Sequence, residues 1–321
     1  MRLPAACLLP AAALALLAGL TACSVPADPG STTVPSATPL ADGVDPAALA
    51  EALGQFPAEP PSSVVSASVP LAEILGELGV PVAGVPSTTT QQLPQSLADV
   101  PRIDSSMAPD VEKIVELAPG LVVAAESARS TVEASLTDTG TPSVFLQTDT
   151  LADAKLAVKT LGAAFDRQER ASAILDRLGA AEAELRALRP TTAGKPTKVL
   201  LLIGAADSFM VMSDGSYAGS LVALTGADNI AGSQLGATGA FTAVDLEKVI
   251  AAAPDVVLVL SSSGADAAQR ALDAEFAARP AWRSVPAVAD GRVHVLDYGR
   301  FGYTSLAALP AAVGELSGFL R

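Results

Sequence analysis

The residue types that most often perform catalysis are scarce in this 321-residue chain, and their spacing does not suit catalysis. His294 is the only histidine and lies inside a predicted strand. A lone histidine there supplies neither a usual structural zinc site nor the loop-end base of a Ser-His-Asp triad. Gly215–Gly219 has tyrosine at its centre, so it is not a nucleophile elbow, and no Cys-x-x-Cys, His-Glu-x-x-His or phosphate-binding glycine loop occurs. We therefore predict a binding protein rather than an enzyme, without a catalytic cofactor.

The composition of the chain bears on which partners it can bind and on which residues can line a pocket. The net charge is −14, from 34 acidic and 20 basic residues. Because no cluster of Lys and Arg stands out, nucleic acid is excluded as a partner. Half of the residues are hydrophobic, which predicts a globular chain with room for two domains. Aromatic residues make up only 4%, so any pocket must rely on a few Phe, Tyr and Met side chains.

A motif that occurs twice indicates how the chain is built. Asp110–Val115 leads through Ala-Pro to an apolar run, and Asp245–Ile250 does the same at an offset of 135 residues. Each copy predicts a short helix capped by its Asp, ended by its Pro and followed by a buried strand. The offset is too long for a solenoid repeat and fits two related lobes.

The fold class that follows is α/β, with two Rossmann-like lobes of mostly parallel sheet joined by one long helix. We assign residues 61–165 to the first lobe, 166–190 to the joining helix and 191–321 to the second lobe. Asp166 and Glu169 predict a capping-box start for that helix. Since ligands of open α/β sheets lie beyond the carboxyl ends of the strands, we expect a cleft between the lobes.

The first 60 residues have the composition of a targeting segment and a tether. Residues 1–22 combine Arg2 with an apolar run and small residues, which predicts a signal peptide; its two prolines argue against a membrane-spanning helix. Leu20–Cys23 resembles the lipobox of bacterial lipoproteins, which implies lipidation of Cys23. Residues 23–60 are rich in Pro, Ser and Thr and predict a tether. Within it, Asp45 and Pro46 predict the start of a short helix.

Taken together, these features resemble the class III substrate-binding lipoproteins of ABC importers, which bind ferric siderophores, haem or vitamin B12. The resemblance covers about residues 60–321. It is carried by Met107–Ile114, Pro254–Val257, Gly291–Leu296 and Phe301–Gly302. Within the family, the first of these segments is most similar to the haem-binding lipoproteins of iron-regulated surface determinant systems.

The resemblance implies that Met107 is an axial ligand of haem iron. Its position just before a predicted helix, in a loop expected at the cleft, agrees with that role, and thioether sulfur is a known haem ligand. The alternative is that Met107 is an ordinary flexible apolar contact. The similar haem-binding lipoproteins have a histidine after the strand that corresponds to Val256–Leu260, where this chain has Ser261–Ser263. The second axial ligand is therefore missing.

Three tyrosines and one arginine are further candidates for ligand contact. Tyr298 and Tyr303 are candidates for the missing iron ligand, because tyrosine ligates haem in some proteins, and Tyr217 is a further candidate. The alternative is that all three are aromatic residues lining an apolar pocket. Arg300 is a candidate partner for a propionate or another carboxylate, or else a solvated surface charge.

The resemblance also implies partners and a location. Family members present acidic residues to the permease, and the candidates are Glu126 and Glu133 on the first lobe and Asp266 on the second; each is otherwise a solvated charge. We expect a monomer, anchored through Cys23 on the extracytoplasmic face of the cell membrane, that delivers an iron complex, in the first place haem, to an ABC permease and its ATPase.

Two alternatives stay open. One is a ferric-siderophore or corrinoid carrier of the same fold, and the other is an envelope sensor or enzyme on the same scaffold. Quenching of Trp282 fluorescence would help to separate ligands if that side chain lies near the cleft.

Overall fold

The structure, a computed structural model, describes residues 42–205 and 208–321. The predicted signal peptide, Cys23 and the first part of the predicted tether lie outside the described residues. Within the described ranges, no helix combines the length and the apolar character that crossing a bilayer requires.

The first lobe is a four-stranded parallel sheet with apolar clusters on both faces. Its strands are β1 (Val64–Ser66), β2 (Val82–Gly84), β3 (Asp104–Ser105), β4 (Ala108–Pro109), β5 (Leu121–Ala125) and β6 (Ser143–Leu146). Its helices are α1 (Pro46–Leu53), α2 (Val69–Leu78), α3 (Val111–Glu116), α4 (Arg129–Leu136) and α5 (Leu151–Ala164). The sheet order is β2-β1-β5-β6, and β3 and β4 form a separate antiparallel hairpin. The continuous apolar sequence of β5 follows from this burial on both faces.

The joining helix is α6 (Gln168–Leu188), whose 21 residues span about 32 Å. The predicted capping box is wrong, because Asp166 adopts a left-handed conformation with φ 55° and the cap position falls on Arg167 without a side-chain bond. Helices α5 and α6 pack closely beside this turn, since a Cβ on Gly162 of α5 would come within 2.4 Å of the Ala171 side chain of α6.

The second lobe is a mixed sheet in the order β12-β10-β9-β13-β14, with β11 also paired to β9. Strands β9, β13, β14 and β11 run parallel, and β10 is antiparallel to both of its neighbours. The strands are β7 (Thr191–Thr192), β8 (Lys195–Pro196), β9 (Lys198–Ala205), β10 (Ser208–Met212), β11 (Asp228–Asn229), β12 (Phe241–Ala243), β13 (Val256–Leu260) and β14 (Val293–Leu296). The helices are α7 (Tyr217–Leu224), α8 (Ile230–Ser233), α9 (Leu246–Ala252), α10 (Ala265–Ala278), α11 (Pro286–Ala289), α12 (Tyr298–Phe301) and α13 (Leu309–Phe319).

The doubled motif folds the same way in both lobes. The carboxylates of Asp110 and Asp245 accept hydrogen bonds from the backbone N–H groups of Lys113 and Lys248, at 3.1 and 3.2 Å, and so cap α3 and α9. Shortly after each helix comes an alanine in a left-handed conformation, Ala118 or Ala253, then a proline and a buried strand. The two-lobe α/β fold predicted from the sequence is therefore confirmed.

The described part of the predicted tether is packed rather than free. Asp45 caps α1 through a 3.0 Å bond from the N–H of Ala47, as its sequence predicts. Val44 is buried, and Phe56 meets Phe165 edge to face at 6.2 Å. The predicted boundary at residue 60 is thus too late, because the packed body includes the chain from residue 42.

Both lobes share one apolar cluster, in which α6 packs against α5 of the first lobe and α7 and α13 of the second. At the edge of this packing, Lys155 Nζ lies 2.8 Å from Glu182 Oε2, and both side chains are largely buried. The joining helix is therefore held along its length by both lobes.

Candidate functional site

A cleft of about 570 Å³ lies where the carboxyl ends of six parallel strands converge. The loops after β1, β2, β5 and β6 line it from the first lobe, and those after β13 and β14 from the second. Two other depressions have a similar volume, one beside α6 and one beside Arg300. The interlobe cleft is the candidate site, because ligands of α/β sheets bind at the carboxyl ends of strands.

Met107 projects into this cleft from the tip of a hairpin. Ser106 and Met107 form the two-residue turn between β3 and β4, which leaves Met107 71% exposed and lining the cleft. The N–H of Met107 donates to Ser105 Oγ at 3.2 Å. A turn this short fixes the direction of its side chains.

Charged and buried groups hold the base of the hairpin in place. Lys113 Nζ lies 3.2 Å from Asp104 and 3.4 Å from Asp110, so one ammonium group bridges the two ends of the hairpin. The hydrogen bond from the Lys113 N–H holds the pKa of Asp110 below its ordinary value. Ile103 is fully buried, and its carbonyl accepts a 2.8 Å bond from the N–H of Asp110. The thioether is thus presented by a fixed support.

All three candidate tyrosines line the cleft. The rings of Tyr298 and Tyr303 meet edge to face, with centroids 5.5 Å apart. Burial, together with the hydrogen bond to Tyr303, raises the pKa of Tyr298. Tyr217 is buried and donates to the Ser305 carbonyl at 3.4 Å, and burial raises its pKa as well. The phenols of Tyr217 and Tyr298 are therefore neutral at neutral pH, and the three tyrosine rings form an aromatic wall of the cleft.

Arg300 does not enter the cleft. Its guanidinium lies 2.5 Å from Glu315 of α13 and borders the neighbouring depression. Tyr298 and Arg300 are two residues apart on α12, so their side chains diverge by about 200° around the helix axis. Tyr298 lines both the cleft and that depression, whereas Arg300 lines only the depression, so the predicted contact of Arg300 with a ligand carboxylate in the cleft is not supported.

The lining carries little charge. Among the described lining residues there is no Lys, Arg or His, and Asp149 is the acid. Burial, followed by the nearby carboxylate of Asp153, raises the pKa of Asp149. Ser262 occupies the wall at the serine run that replaces the expected histidine, and many of the remaining lining residues are serine or threonine.

His294 and Trp282 both lie away from the cleft. The His294 ring stacks on Phe319 at 4.4 Å, and burial lowers its pKa, which fits the predicted structural role. Trp282 is fully buried in the second lobe, and its Nε1–H donates to Glu275 at 2.9 Å. Its fluorescence therefore does not report directly on the cleft.

The three candidate docking acids differ in how free they are. Both carboxylate oxygens of Glu126 accept hydrogen bonds from Arg129, at 2.6 and 2.8 Å, which lowers the pKa of Glu126. One carboxylate oxygen of Glu133 accepts a hydrogen bond from Arg129 at 2.8 Å. The Arg129 guanidinium also lies 4.3 Å from the centroid of the Phe145 ring. Asp266 is exposed in the first turn of α10 and has no ion-pair partner within the described ranges. Glu133 and Asp266 are the more available pair.

The sequence analysis did not identify some of the residues that line the cleft. Ile203, Met212 and Phe241 line the cleft from the second lobe, yet each lies in an ordinary apolar strand segment. A clue was present in the composition, because methionine is rare in this chain and Met210 and Met212 alternate along one strand.

Comparison with known proteins agrees with this geometry. The chain is 26% identical over 242 residues to the high-affinity heme uptake system protein IsdE of Staphylococcus aureus (strain MRSA252), covering 75% of this chain and 81% of the relative. The crystal structure of S. aureus IsdE complexed with heme matches with a TM-score of 0.71 and 25% identity, over 81% of this chain and 98% of that chain. An ABC transporter substrate-binding protein from Listeria monocytogenes EGD-e matches with a TM-score of 0.73 and 28% identity, over 82% of this chain and 99% of that chain.

A family model confirms the family expected from the sequence. The model described as periplasmic binding protein matches residues 64–298, which is well over half of the chain and spans both lobes. The chain therefore belongs to the periplasmic binding protein family.

Proposed function

We propose that this protein is the substrate-binding lipoprotein of an ABC importer, and that it captures haem in the interlobe cleft and delivers it to the permease. Membership of the binding-protein family and similarity to a heme uptake protein support the transport role. No bond of the cargo is made or broken. The lipobox supports anchoring through Cys23 on the extracytoplasmic face.

The position of Met107 is the observation that carries the choice of haem. A thioether at the tip of a braced hairpin faces a wall that contains Tyr298 and Tyr303. Methionine sulfur is an established axial ligand of haem iron, and aromatic side chains pack against flat rings. Iron bound to Met107 would sit between the hairpin and the second lobe.

The charge of the lining bears on where the charged groups of a cargo can lie. The described lining residues provide no cation, so an anionic ferric centre would be unpaired there, and the two propionates at the edge of haem would have to face solvent. A corrinoid or an uncharged ferric siderophore remains the rival, because the stretch Ser261–Ser263 stands where the similar haem-binding lipoproteins have a histidine. Competition of each rival complex against bound haem would rank them.

The test is a haem titration followed by absorption spectroscopy on the purified protein. We expect wild-type protein to shift the Soret band on binding and Met107→Ala to change the spectrum of the complex. Val115→Ala is the matched control, because Val115 is an exposed apolar residue of the same lobe that does not line the cleft. An unshifted band in wild type contradicts haem as cargo, and an unchanged spectrum in Met107→Ala contradicts ligation by that thioether.

Delivery requires contacts with the permease, which we assign to Glu133 on the first lobe and Asp266 on the second. Both carboxylates are exposed, and each leaves at least one oxygen without a cationic partner within the described residues. Both carboxylate oxygens of Glu126 bind Arg129, so the main role of Glu126 in this proposal is to orient that guanidinium. A monomer presenting one acidic contact per lobe suits a permease and ATPase that work together.

A further inference from the structure

The methionines of this chain are concentrated at the cleft. There are four, and one of them is the initiator. Met107 and Met212 line the cleft from opposite lobes, and Met210 lies two residues before Met212 on β10. Every methionine of the described residues is thus in the cleft wall or beside it.

The strand register places Met210 and Met212 on the cleft face of the second sheet. Met212 pairs with Phe241 of β12, and Met210 pairs with Ile203 of β9. Directly opposed residues of antiparallel strands project from the same face, and so do residues two apart on one strand. Since Ile203, Met212 and Phe241 line the cleft, these four residues form one patch, called here the C-lobe patch.

Two members of the C-lobe patch are unusually exposed for large apolar side chains. Met210 is 43% exposed and Phe241 is 48% exposed, whereas Met212 is only 3% exposed. The opposite face of β10 is buried, because Val211 is fully buried in the apolar core of the second lobe. Exposed apolar patches beside a cleft mark surfaces that bind a ligand or a partner.

The chemistry of the patch favours a flat, unsaturated ring. Thioethers are polarisable and make favourable contacts with aromatic ring systems, and Phe241 adds a face for stacking. The described lining residues include no cation, so the propionates of a porphyrin would have to face solvent. Within the cleft, recognition must therefore rely on the shape and the apolar face of the ring.

We propose that the C-lobe patch binds the ring face of a planar tetrapyrrole, and that the ring supplies most of the affinity while Met107 contacts the iron. This rests on the proposed function, and it adds that capture does not depend on the metal. Metal-free protoporphyrin is therefore itself a ligand of the cleft.

The experiment titrates the full-length protein with haem and, separately, with metal-free protoporphyrin IX, followed by absorption and porphyrin fluorescence. We expect the metal-free porphyrin to bind wild type within about tenfold of the affinity for haem. Met210→Gln and Phe241→Ser should each weaken both ligands by about 2- to 10-fold, while Met210→Leu, which keeps the apolar surface, should change little. Met107→Ala should weaken haem more than it weakens the metal-free porphyrin, because only haem loses an iron ligand as well as an apolar contact.

These outcomes separate the inference from the proposed function. If haem binds and the metal-free porphyrin does not, or if Met210→Gln and Phe241→Ser leave both affinities unchanged, the inference is overturned and the proposed function stands. If neither porphyrin binds, the proposed function is overturned together with the inference. Val115→Ser is the control for a polar substitution at an exposed apolar site outside the cleft, and its affinities should equal those of wild type.

Discussion

Glu73→Gln is expected to change how the stability of the protein depends on pH. Glu73 lies on α2 of the first lobe and is only 2% exposed. Its Oε1 accepts hydrogen bonds from the N–H of Ala307 at 2.8 Å and from Ser305 Oγ at 3.1 Å, both in the second lobe. Burial, reinforced by the nearby carboxylate of Glu77, raises the pKa of Glu73 from 4.5 to about 7 despite these donors.

The sign of the effect follows from the raised pKa. The folded state binds the Glu73 proton more tightly than the unfolded state, so this group favours folding fully below about pH 4.5. That contribution is lost as the pH rises to about 7 and stays absent above it. At about 1.4 kcal/mol for each tenfold change in proton affinity, the rise in pKa corresponds to about 3 kcal/mol.

The assay is urea unfolding of wild type and Glu73→Gln at several pH values. Glutamine keeps an oxygen that accepts from Ala307 and Ser305 but does not titrate. The difference in unfolding free energy should therefore move in favour of the variant by about 3 kcal/mol between about pH 4 and about pH 9. The exposed Glu116→Gln should show little such trend. A pH-independent difference at Glu73 would refute the assignment of a buried, partly protonated carboxyl at this contact.

Three further predictions concern stability and partner binding. Glu182→Gln should lower the unfolding free energy by about 3 kcal/mol, because it leaves the buried Lys155 ammonium without its partner. Arg186 binds Glu182 from the exposed side, so Arg186→Gln should lower the unfolding free energy by less than about 1 kcal/mol. Chemical denaturation measures both changes. Ala118→Gly and Ala253→Gly should each raise stability by about 0.5–1 kcal/mol, because both alanines are left-handed, and a loss of stability in either would contradict this. Charge reversal in Glu133→Arg and Asp266→Arg should reduce uptake by cells while haem affinity of the purified protein is unchanged; normal uptake by the double variant would exclude these residues as docking contacts.

The fold was predictable because its signals are local. The caps at Asp45, Asp110 and Asp245 depend on a side chain and a backbone N–H two or three residues away. The cap predicted at Asp166 failed because that residue is left-handed, at a turn where Gly162 packs closely against Ala171, a contact that the local sequence does not show. The predicted end of the tether at residue 60 is too late because Phe56 packs against Phe165, a distant contact that the local sequence does not show.

The site was predictable only in part. The sequence placed Met107 and the tyrosines at the cleft, and the structure brings them there. It did not give the direction of Arg300, which a single turn of α12 determines. Glu73 carried no signal, because its hydrogen-bond partners lie more than 230 residues away. The C-lobe patch arises from pairing between strands, and a periodicity within one strand does not specify its neighbours.

The position of iron in the haem complex tests the central claim most directly. Anomalous diffraction from crystals of the complex, recorded at the iron absorption edge, locates the metal without reference to the porphyrin density. We predict one iron peak in the interlobe cleft, within bonding distance of Met107 Sδ. An iron peak outside the cleft, or one inside it that Met107 does not contact, would contradict the account.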